Sequence, residues 1–104
     1  MSQFDVLRNT VQASKRLIPY LLDVQSDLIS GVATRVVVPL FKAKEFGSPA
    51  PRLNPTFEIE RVQVVMSTAE LAGVSRAVLC LKVASLADRR DEILAALDLV
   101  FFGF

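Results

Sequence analysis

The chain has 104 residues, a formal net charge of +1, one cysteine and no histidine. The near-neutral charge gives no electrostatic case for binding nucleic acid or an anionic membrane, and the missing histidine removes the usual general base and the commonest metal ligand. The length fits a single domain over residues 1–104, and a hydrophobic content of 52% is high for so small a chain. We therefore expect part of the apolar surface to lie in an interface, most simply that of a homodimer.

Neither a signal peptide nor a membrane span is expected, because the N-terminus has no apolar run and no stretch approaches spanning length. The single cysteine, Cys80, lies in an apolar alternation and is most simply a small core residue. One unpaired cysteine fits a reducing compartment. We therefore expect a cytoplasmic protein.

The first half of the chain predicts three strands with polar segments between them. Apolar residues favour strands at Phe4–Leu7 and Tyr20–Val24, joined by the polar loop Arg8–Arg16. The third strand, Arg35–Leu40, contains a continuous β-branched run, which is typical of burial on both faces. The loop before it, Gln25–Gly31, has turn residues at its edges and two bulky aliphatic residues between them. Aliphatic residues in such a turn either plug the core or form a contact surface, and the residues alone leave both open.

Prolines divide the middle of the chain. Pro39 is expected to mark the end or an edge of the third strand, because proline lacks the N–H group that a central strand donates. The segment Phe41–Phe46 permits one turn of helix. The segment Ser48–Pro55 contains three prolines and is predicted to be a loop.

The second half predicts three more strands. Thr56–Ile59 and Val62–Met66 alternate apolar and polar residues and are joined by a tight turn near Glu60. Ser67–Gly73 is expected to be a loop with a helical turn, and Ala77–Val83 is expected to be the last strand. Short antiparallel strands followed by one C-terminal helix predict an α+β domain with a curved or barrel-like sheet.

The only long helical pattern is the last stretch, Ser85–Phe104. Ser85 is a good N-cap, and Asp88 three residues later completes a pattern that resembles a capping box. Five apolar residues recur at helical spacing and predict the core face of this helix: Ile93, Ala96, Leu97, Val100 and Phe101.

The opposite face of this helix leads to an unusual end. It carries Asp98 and Phe102, so Phe102 is expected to face water. Gly103 is expected to stop the helix in a left-handed conformation, after which Phe104 leaves the helical track. An exposed aromatic residue at the tip of a rigid element is typical of an interaction anchor.

Three stretches occur in a characteristic order along the chain. They are DVQSDLI at Asp23–Ile29, RVVVPL at Arg35–Leu40 and the terminal FFGF at Phe101–Phe104. Together they resemble the CcdB family, the toxins of plasmid and chromosomal toxin–antitoxin modules. The resemblance runs the whole length of the chain and is strongest over Phe4–Leu40 and Leu86–Phe104.

The resemblance implies an α+β fold, a small SH3-like antiparallel β-barrel of the CcdB/MazF kind with a C-terminal α-helix, assembled as a homodimer. It implies a toxin that is not an enzyme, uses no cofactor or metal and binds the A subunit of DNA gyrase, trapping the cleaved-DNA complex. A CcdA-like antitoxin would compete for the same region, and neither a membrane nor a specific nucleic acid sequence is an expected partner. The positions that the resemblance assigns to gyrase contact are Leu28, Ile29, Asp98, Phe101, Phe102, Gly103 and Phe104.

Two of these positions depart from the family pattern. Phe102 stands where tryptophan is familiar, which keeps a stacking surface but loses the indole N–H donor. Asp98 stands where asparagine is familiar, which loses the amide donors and adds a negative charge. Both changes bear on affinity and on the choice of target.

Other interpretations remain open from the sequence. Asp23 and Asp27 form a carboxylate pair in principle, but roles at a strand end and in a turn are favoured. The segment Arg89–Glu92 is interpreted as a solvated helix face with local ion pairs. The alternative functions are an endoribonuclease toxin of the MazF kind and an inactive toxin homologue that retains only antitoxin binding.

Overall fold

The structure, a computed structural model, describes residues 1–79 and 81–104. The described strands form one antiparallel sheet that curls into a half-barrel, with a helix at the C-terminal end of the chain. The strands follow the order β4-β5-β3-β2-β1-β7, with β6 paired to β3. The α+β prediction is confirmed. The bounds are β1 Asp5–Arg8, β2 Tyr20–Asp23, β3 Thr34–Lys42, α1 Ala43–Phe46, β4 Thr56–Ile59, β5 Val62–Met66, β6 Ala72–Ser75, β7 Lys82–Ser85 and α2 Arg90–Phe102.

The predicted strands of the first half are confirmed within a residue or two, but Pro39 does not end β3. The Pro39 carbonyl accepts a hydrogen bond from the Ser67 backbone N–H at 3.0 Å. The N–H and C=O groups of a strand residue point to the same side, so the missing N–H also points away from β2. On that side β3 pairs with β6 up to Val37 and with β5 from Leu40 onward. Proline is tolerated there because it lies where β3 changes partners.

The β4–β5 hairpin matches its prediction residue for residue. Ile59 pairs with Val62, so Glu60 and Arg61 form a two-residue turn, and both have positive φ angles of 50° and 68°. Such angles give the turn that matches the twist of antiparallel strands. The Tyr20 hydroxyl donates a hydrogen bond to Glu60 at 2.7 Å and anchors the turn to β2. Burial, together with this bond to a carboxylate, raises the pKa of Tyr20 to about 12.

The segment between β5 and α2 departs most from its prediction. The predicted loop Ser67–Gly73 contains a 3₁₀ turn at Thr68–Glu70, but it runs into β6, which was not predicted. The strand β6 has four residues, mostly exposed, and its sequence lacks the alternation of apolar and polar residues that would have predicted a strand. Its structure comes from pairing with the buried strand β3, from Thr34–Ser75 to Val37–Ala72.

The predicted last strand is also shifted. Arg76–Val78 forms a 3₁₀ turn, and the strand β7 begins at Lys82. Of the predicted alternating residues, Leu79 is buried but Leu81 is exposed. The expected core position of Cys80 lies outside the described residues.

The helix α2 begins four residues later than predicted, because its N-cap residue is Arg89 rather than Ser85. The Ser85 hydroxyl accepts from the Ala87 N–H at 3.2 Å, but it does not cap α2, which follows the 3₁₀ turn Ala87–Arg89 and has no side-chain cap at its N-cap residue, Arg89. Within α2, Ile93 and Ala96 are fully buried against the main core. No helix in the described part of the chain is long and apolar enough to cross a membrane.

Two apolar clusters lie on the two faces of the sheet. The larger includes Tyr20 and Leu22 from β2 and packs under α2, as the alternation of that strand predicts. The smaller consists of Leu7, Val37 and Leu79. Because both faces of the central strands are covered, the remaining apolar residues are found at the ends of elements and in loops.

Candidate functional site

Two surfaces of the protein expose large apolar side chains together with sequence-predicted contact residues. We call Asp98–Phe104 the helix tip and Gln25–Gly31 the Leu28 loop. Leu28 is 95% exposed, which is the highest value among the described large apolar residues. In monomeric soluble proteins, a cluster of exposed apolar side chains usually marks a binding site. Both surfaces are therefore candidates for contact with another protein.

The helix tip is shaped by a glycine. Gly103 has φ 81° and ψ 11°, the left-handed conformation, and its N–H donates to the Leu99 carbonyl at 3.1 Å. This conformation ends α2 and turns the last residue off the helical track, as predicted. The rings of Phe102 and Phe104 consequently lie with their centroids 6.4 Å apart. The tip therefore presents a pair of neighbouring aromatic rings.

The prediction for Phe101 is wrong. Its spacing predicted a core position, but the side chain is 61% exposed. The buried stripe of α2 ends at Ala96, and one turn later Val100 is only half-buried. Phe101 therefore extends past the edge of the core. Phe102, 67% exposed, faces water as predicted, so three phenylalanine side chains are exposed at one end of α2.

Asp98 adds a charged group beside these rings. It is exposed, as the helical spacing predicted, and lies one turn before Phe102. Its carboxylate offers hydrogen-bond acceptors at neutral pH and no donor. The helix tip is thus an apolar surface with an acceptor at its side, which favours a partner that supplies donors.

The Leu28 loop is a short, capped turn. The Ser26 hydroxyl accepts from the Leu28 N–H at 3.1 Å and starts a 3₁₀ turn, Asp27–Ile29. Leu28 and Ile29 both face outward, with Ile29 52% exposed. The sequence left open whether these residues plug the core. The exposure of both side chains excludes the core plug.

A buried glutamine lies behind this turn. Gln25 is 4% exposed. Its side-chain Oε1 accepts from the Val36 N–H of β3 at 2.9 Å, and its Nε2 donates to the Ile29 carbonyl at 3.1 Å. One carboxamide therefore joins the central strand of the sheet to the exposed turn.

A buried ion pair lies next to Gln25. The Arg35 Nε donates to the Asp23 carboxylate at 2.9 Å, and the Arg35 Nη2 is 2.7 Å from the same oxygen. The other Asp23 oxygen accepts from the Gln25 backbone N–H at 3.0 Å. Burial raises the pKa of Asp23, and Arg35 and the Gln25 N–H oppose that shift. This geometry confirms that Asp23 acts at a strand end.

Asp27 is likewise a turn residue rather than half of a carboxylate pair. Its Oδ1 accepts from the Gln3 backbone N–H at 2.9 Å and is 4.0 Å from the Arg35 Nη2. Asp27 is exposed, whereas Asp23 is fully buried. Gln25 and Arg35 were not among the residues predicted to contribute to the site. The available signal was an arginine at the head of an apolar run, twelve residues after an aspartate at a strand end.

The start of α2 is a charged face, as predicted. Arg89 forms an ion pair with Glu92, three residues later. Its guanidinium also lies 4.8 Å from the centre of the Phe57 ring, so it packs on the sheet as well as pairing locally. This contact holds the beginning of the helix, at the far end from the helix tip.

The two candidate surfaces belong to elements that do not pack extensively on each other. Within the described residues, the main backbone neighbours of α2 are the 3₁₀ turns Thr68–Glu70 and Ala87–Arg89, and the turn of the Leu28 loop is not among them. The structure brings Phe102 and Phe104 together, and it places Leu28 and Ile29 on a separate loop. The protein therefore carries two apolar surfaces on different elements.

Comparison with known protein families identifies the chain. The family model described as CcdB protein matches residues 3–103. The matched range includes the whole Leu28 loop and the helix tip up to Gly103. The chain therefore belongs to the CcdB family, whose members are toxins of toxin–antitoxin modules.

Proposed function

We propose that the protein is a toxin that poisons DNA gyrase by binding its A subunit and trapping the complex in which the DNA is cleaved. Family membership supports the toxin role. The observation that carries the choice of a protein target is the helix tip, where Phe101, Phe102 and Phe104 are all more than half exposed. Exposed aromatic residues on a rigid element bind partners with little loss of conformational entropy.

The contact residues that we propose divide between two roles. The aromatic rings of the helix tip act as the anchors, because buried aromatic side chains supply most of the energy of many interfaces. Leu28 and Ile29 form a second apolar contact. Phe102, which replaces the familiar tryptophan, buries less area and donates no hydrogen bond. Asp98 accepts a hydrogen bond or pairs with a cation on the gyrase subunit.

We further propose that the active species is a cytoplasmic homodimer. A single protomer leaves apolar side chains exposed away from the helix tip, including Val32, Val78 and Leu81. Association of two protomers would cover part of this area and would present two helix tips to the target. A CcdA-like antitoxin would neutralise the toxin by covering the same exposed residues.

The test is a cleavage assay with purified protein, gyrase and supercoiled plasmid DNA. We expect linear DNA to accumulate after detergent and protease treatment, only when gyrase and the toxin are both present. The Phe102→Ala variant should reduce this accumulation strongly. The same protein is incubated with RNA in the absence of gyrase. Cleavage of RNA would replace the proposal with the endoribonuclease alternative, and no cleavage of either nucleic acid, together with retained antitoxin binding, would favour an inactive homologue.

A further inference from the structure

We propose that Gln25, held by the buried Asp23–Arg35 pair, is a positioning residue that fixes the Leu28 loop in its binding conformation. The structural part of this inference concerns the loop alone. Its consequence for gyrase rests on the proposed function. Gln25 itself is buried and does not form part of the exposed surface.

The carboxamide of Gln25 acts as a brace between two parts of the chain. Its oxygen accepts a hydrogen bond from the Val36 N–H, which belongs to the central strand β3. Its nitrogen donates a hydrogen bond to the Ile29 carbonyl, which belongs to the exposed turn. Both bonds have ordinary lengths, so this planar group links the position of the turn directly to β3.

Glutamine suits this position for a chemical reason. The brace needs one acceptor and one donor on the same short planar group, and a neutral amide supplies both. An ionised glutamate would keep the acceptor for Val36 but would lose the donor for Ile29. Methionine would fill similar space with neither.

The buried Asp23–Arg35 ion pair positions the backbone of Gln25. The two oxygens of Asp23 are divided between Arg35 and the Gln25 backbone N–H. Desolvating two charges offsets much of their attraction, so a buried pair adds little stability compared with apolar residues of similar volume. Fixing the direction in which the chain leaves β2 is a geometric role that apolar residues do not supply.

A second side chain holds the far side of the turn. The Arg76 Nη1 donates to the Ser30 carbonyl at 2.7 Å. The consecutive carbonyls of Ile29 and Ser30 are thus both bonded to side chains from outside the turn. Because Leu28 is almost fully exposed, it adds little to the stability of the fold. Because its turn is fixed by these hydrogen bonds, Leu28 loses little conformational entropy when a partner covers it.

The experiment compares Gln25→Met and Gln25→Glu with Thr68→Val as a matched control. Thr68 is also fully buried, and its hydroxyl donates to the Leu53 carbonyl, away from the loop. Three quantities are measured for each variant: amide hydrogen exchange over residues 28–32, the denaturation midpoint, and affinity for the gyrase A subunit.

We expect both Gln25 variants to speed amide exchange over residues 28–32 by roughly tenfold, because a buried hydrogen bond is lost. Thr68→Val should lower the denaturation midpoint without changing exchange in the loop. Gln25→Glu, which keeps the bond to Val36, tests the proposal even where Gln25→Met fails to fold. Unchanged loop exchange in a folded Gln25 variant would overturn the proposal, whatever the gyrase result.

A double-mutant cycle with Leu28→Ala separates positioning from general stability. If Gln25 acts through the loop, Gln25→Met weakens binding more in the wild-type background than in the Leu28→Ala background, where only the Ile29 contact of the loop remains. Equal losses in both backgrounds would overturn the positioning role. A wild-type protein that does not bind the gyrase A subunit would contradict the proposed function, and the exchange data would still decide the role of Gln25.

Discussion

The helix tip and the Leu28 loop both expose apolar side chains, but different interactions hold them in place. The tip depends on the backbone hydrogen bonds of α2 and on one glycine close in sequence. The loop depends on groups from elsewhere in the chain: the Val36 backbone N–H and the Arg35 side chain lie on β3, and the Arg76 side chain bonds to a carbonyl 46 residues away. The shape of the tip is set by residues close in sequence, whereas the shape of the loop also needs β3 and the segment around Arg76 to be in place. Changes to the core should therefore disturb the loop before the tip.

The largest effect should follow from Arg35→Ala. This change leaves the Asp23 carboxylate buried without its cation, and breaking such pairs costs about 3–5 kcal/mol of unfolding free energy. Chemical denaturation measures the loss. The comparison variant Arg89→Ala removes a partly exposed cation and should cost less than about 1 kcal/mol. If Arg35→Ala costs no more than Arg89→Ala, Asp23 does not depend on Arg35 as its buried partner.

The next effect concerns the helix tip. Phe102→Ala should weaken binding to the gyrase A subunit by roughly 2 kcal/mol or more. Because Phe102 is 67% exposed, the unfolding free energy of the protein should change by no more than about 0.5 kcal/mol. Denaturation and calorimetric titration are measured side by side.

The matched control for Phe102 is Ile93→Ala on the same helix. Ile93 is fully buried, so its truncation should destabilise the protein by about 2–5 kcal/mol and affect binding only through stability. A Phe102→Ala variant that unfolds as readily as Ile93→Ala would mean that the ring supports the core rather than an interface.

A smaller effect is expected from Gly103→Ala. The φ of 81° lies in the left-handed region, which costs an L-residue roughly 1–2 kcal/mol, although nothing within 4 Å obstructs a Cβ atom. We expect fraying of the last turn, seen as faster exchange of its amides, together with weaker gyrase binding. Gly31→Ala in the Leu28 loop is the control, because Gly31 has equal space and no such φ. Equal behaviour of the two variants would show that the left-handed stop does not shape the tip.

The last effect appears only at high pH and concerns Tyr20, which belongs to neither surface. Its pKa is raised from 10.0 to about 12, so the folded state retains a proton that the unfolded state releases. The stabilisation is present below pH 10 and is lost as the pH rises from 10 to 12. The stability difference between wild type and Tyr20→Phe should therefore shrink over that range.

The measurement is direct because Tyr20 is the only tyrosine and the chain has no tryptophan. Phenolate absorbance follows its titration while denaturation follows stability. A titration midpoint at the ordinary tyrosine value would contradict the contact with Glu60. Amide exchange in the Leu28 loop and helix tip should be the same in Tyr20→Phe as in wild type.

The elements predicted well from sequence are those held by local interactions. The bounds of the β4–β5 hairpin were predicted correctly because the alternation of apolar and polar residues and the two-residue turn both depend on residues adjacent in sequence. The Gly103 stop was predicted for the same reason. The strand β6 was missed because its residues have weak strand character and it forms through pairing with β3. The Phe101 position was wrong because helical spacing shows which residues share a face, but not where the core beneath that face ends.

By itself, the sequence determined the antiparallel α+β architecture, the exposure of Phe102 and the resemblance to the CcdB family. These follow from periodicity, turn chemistry and residue order, which act over a few residues at a time. Only the tertiary structure decided that Leu28 faces solvent, that Phe101 is exposed and that Gln25 joins β3 to the loop. Those facts depend on where distant segments meet, because burial and side-chain hydrogen bonds are properties of the assembled sheet.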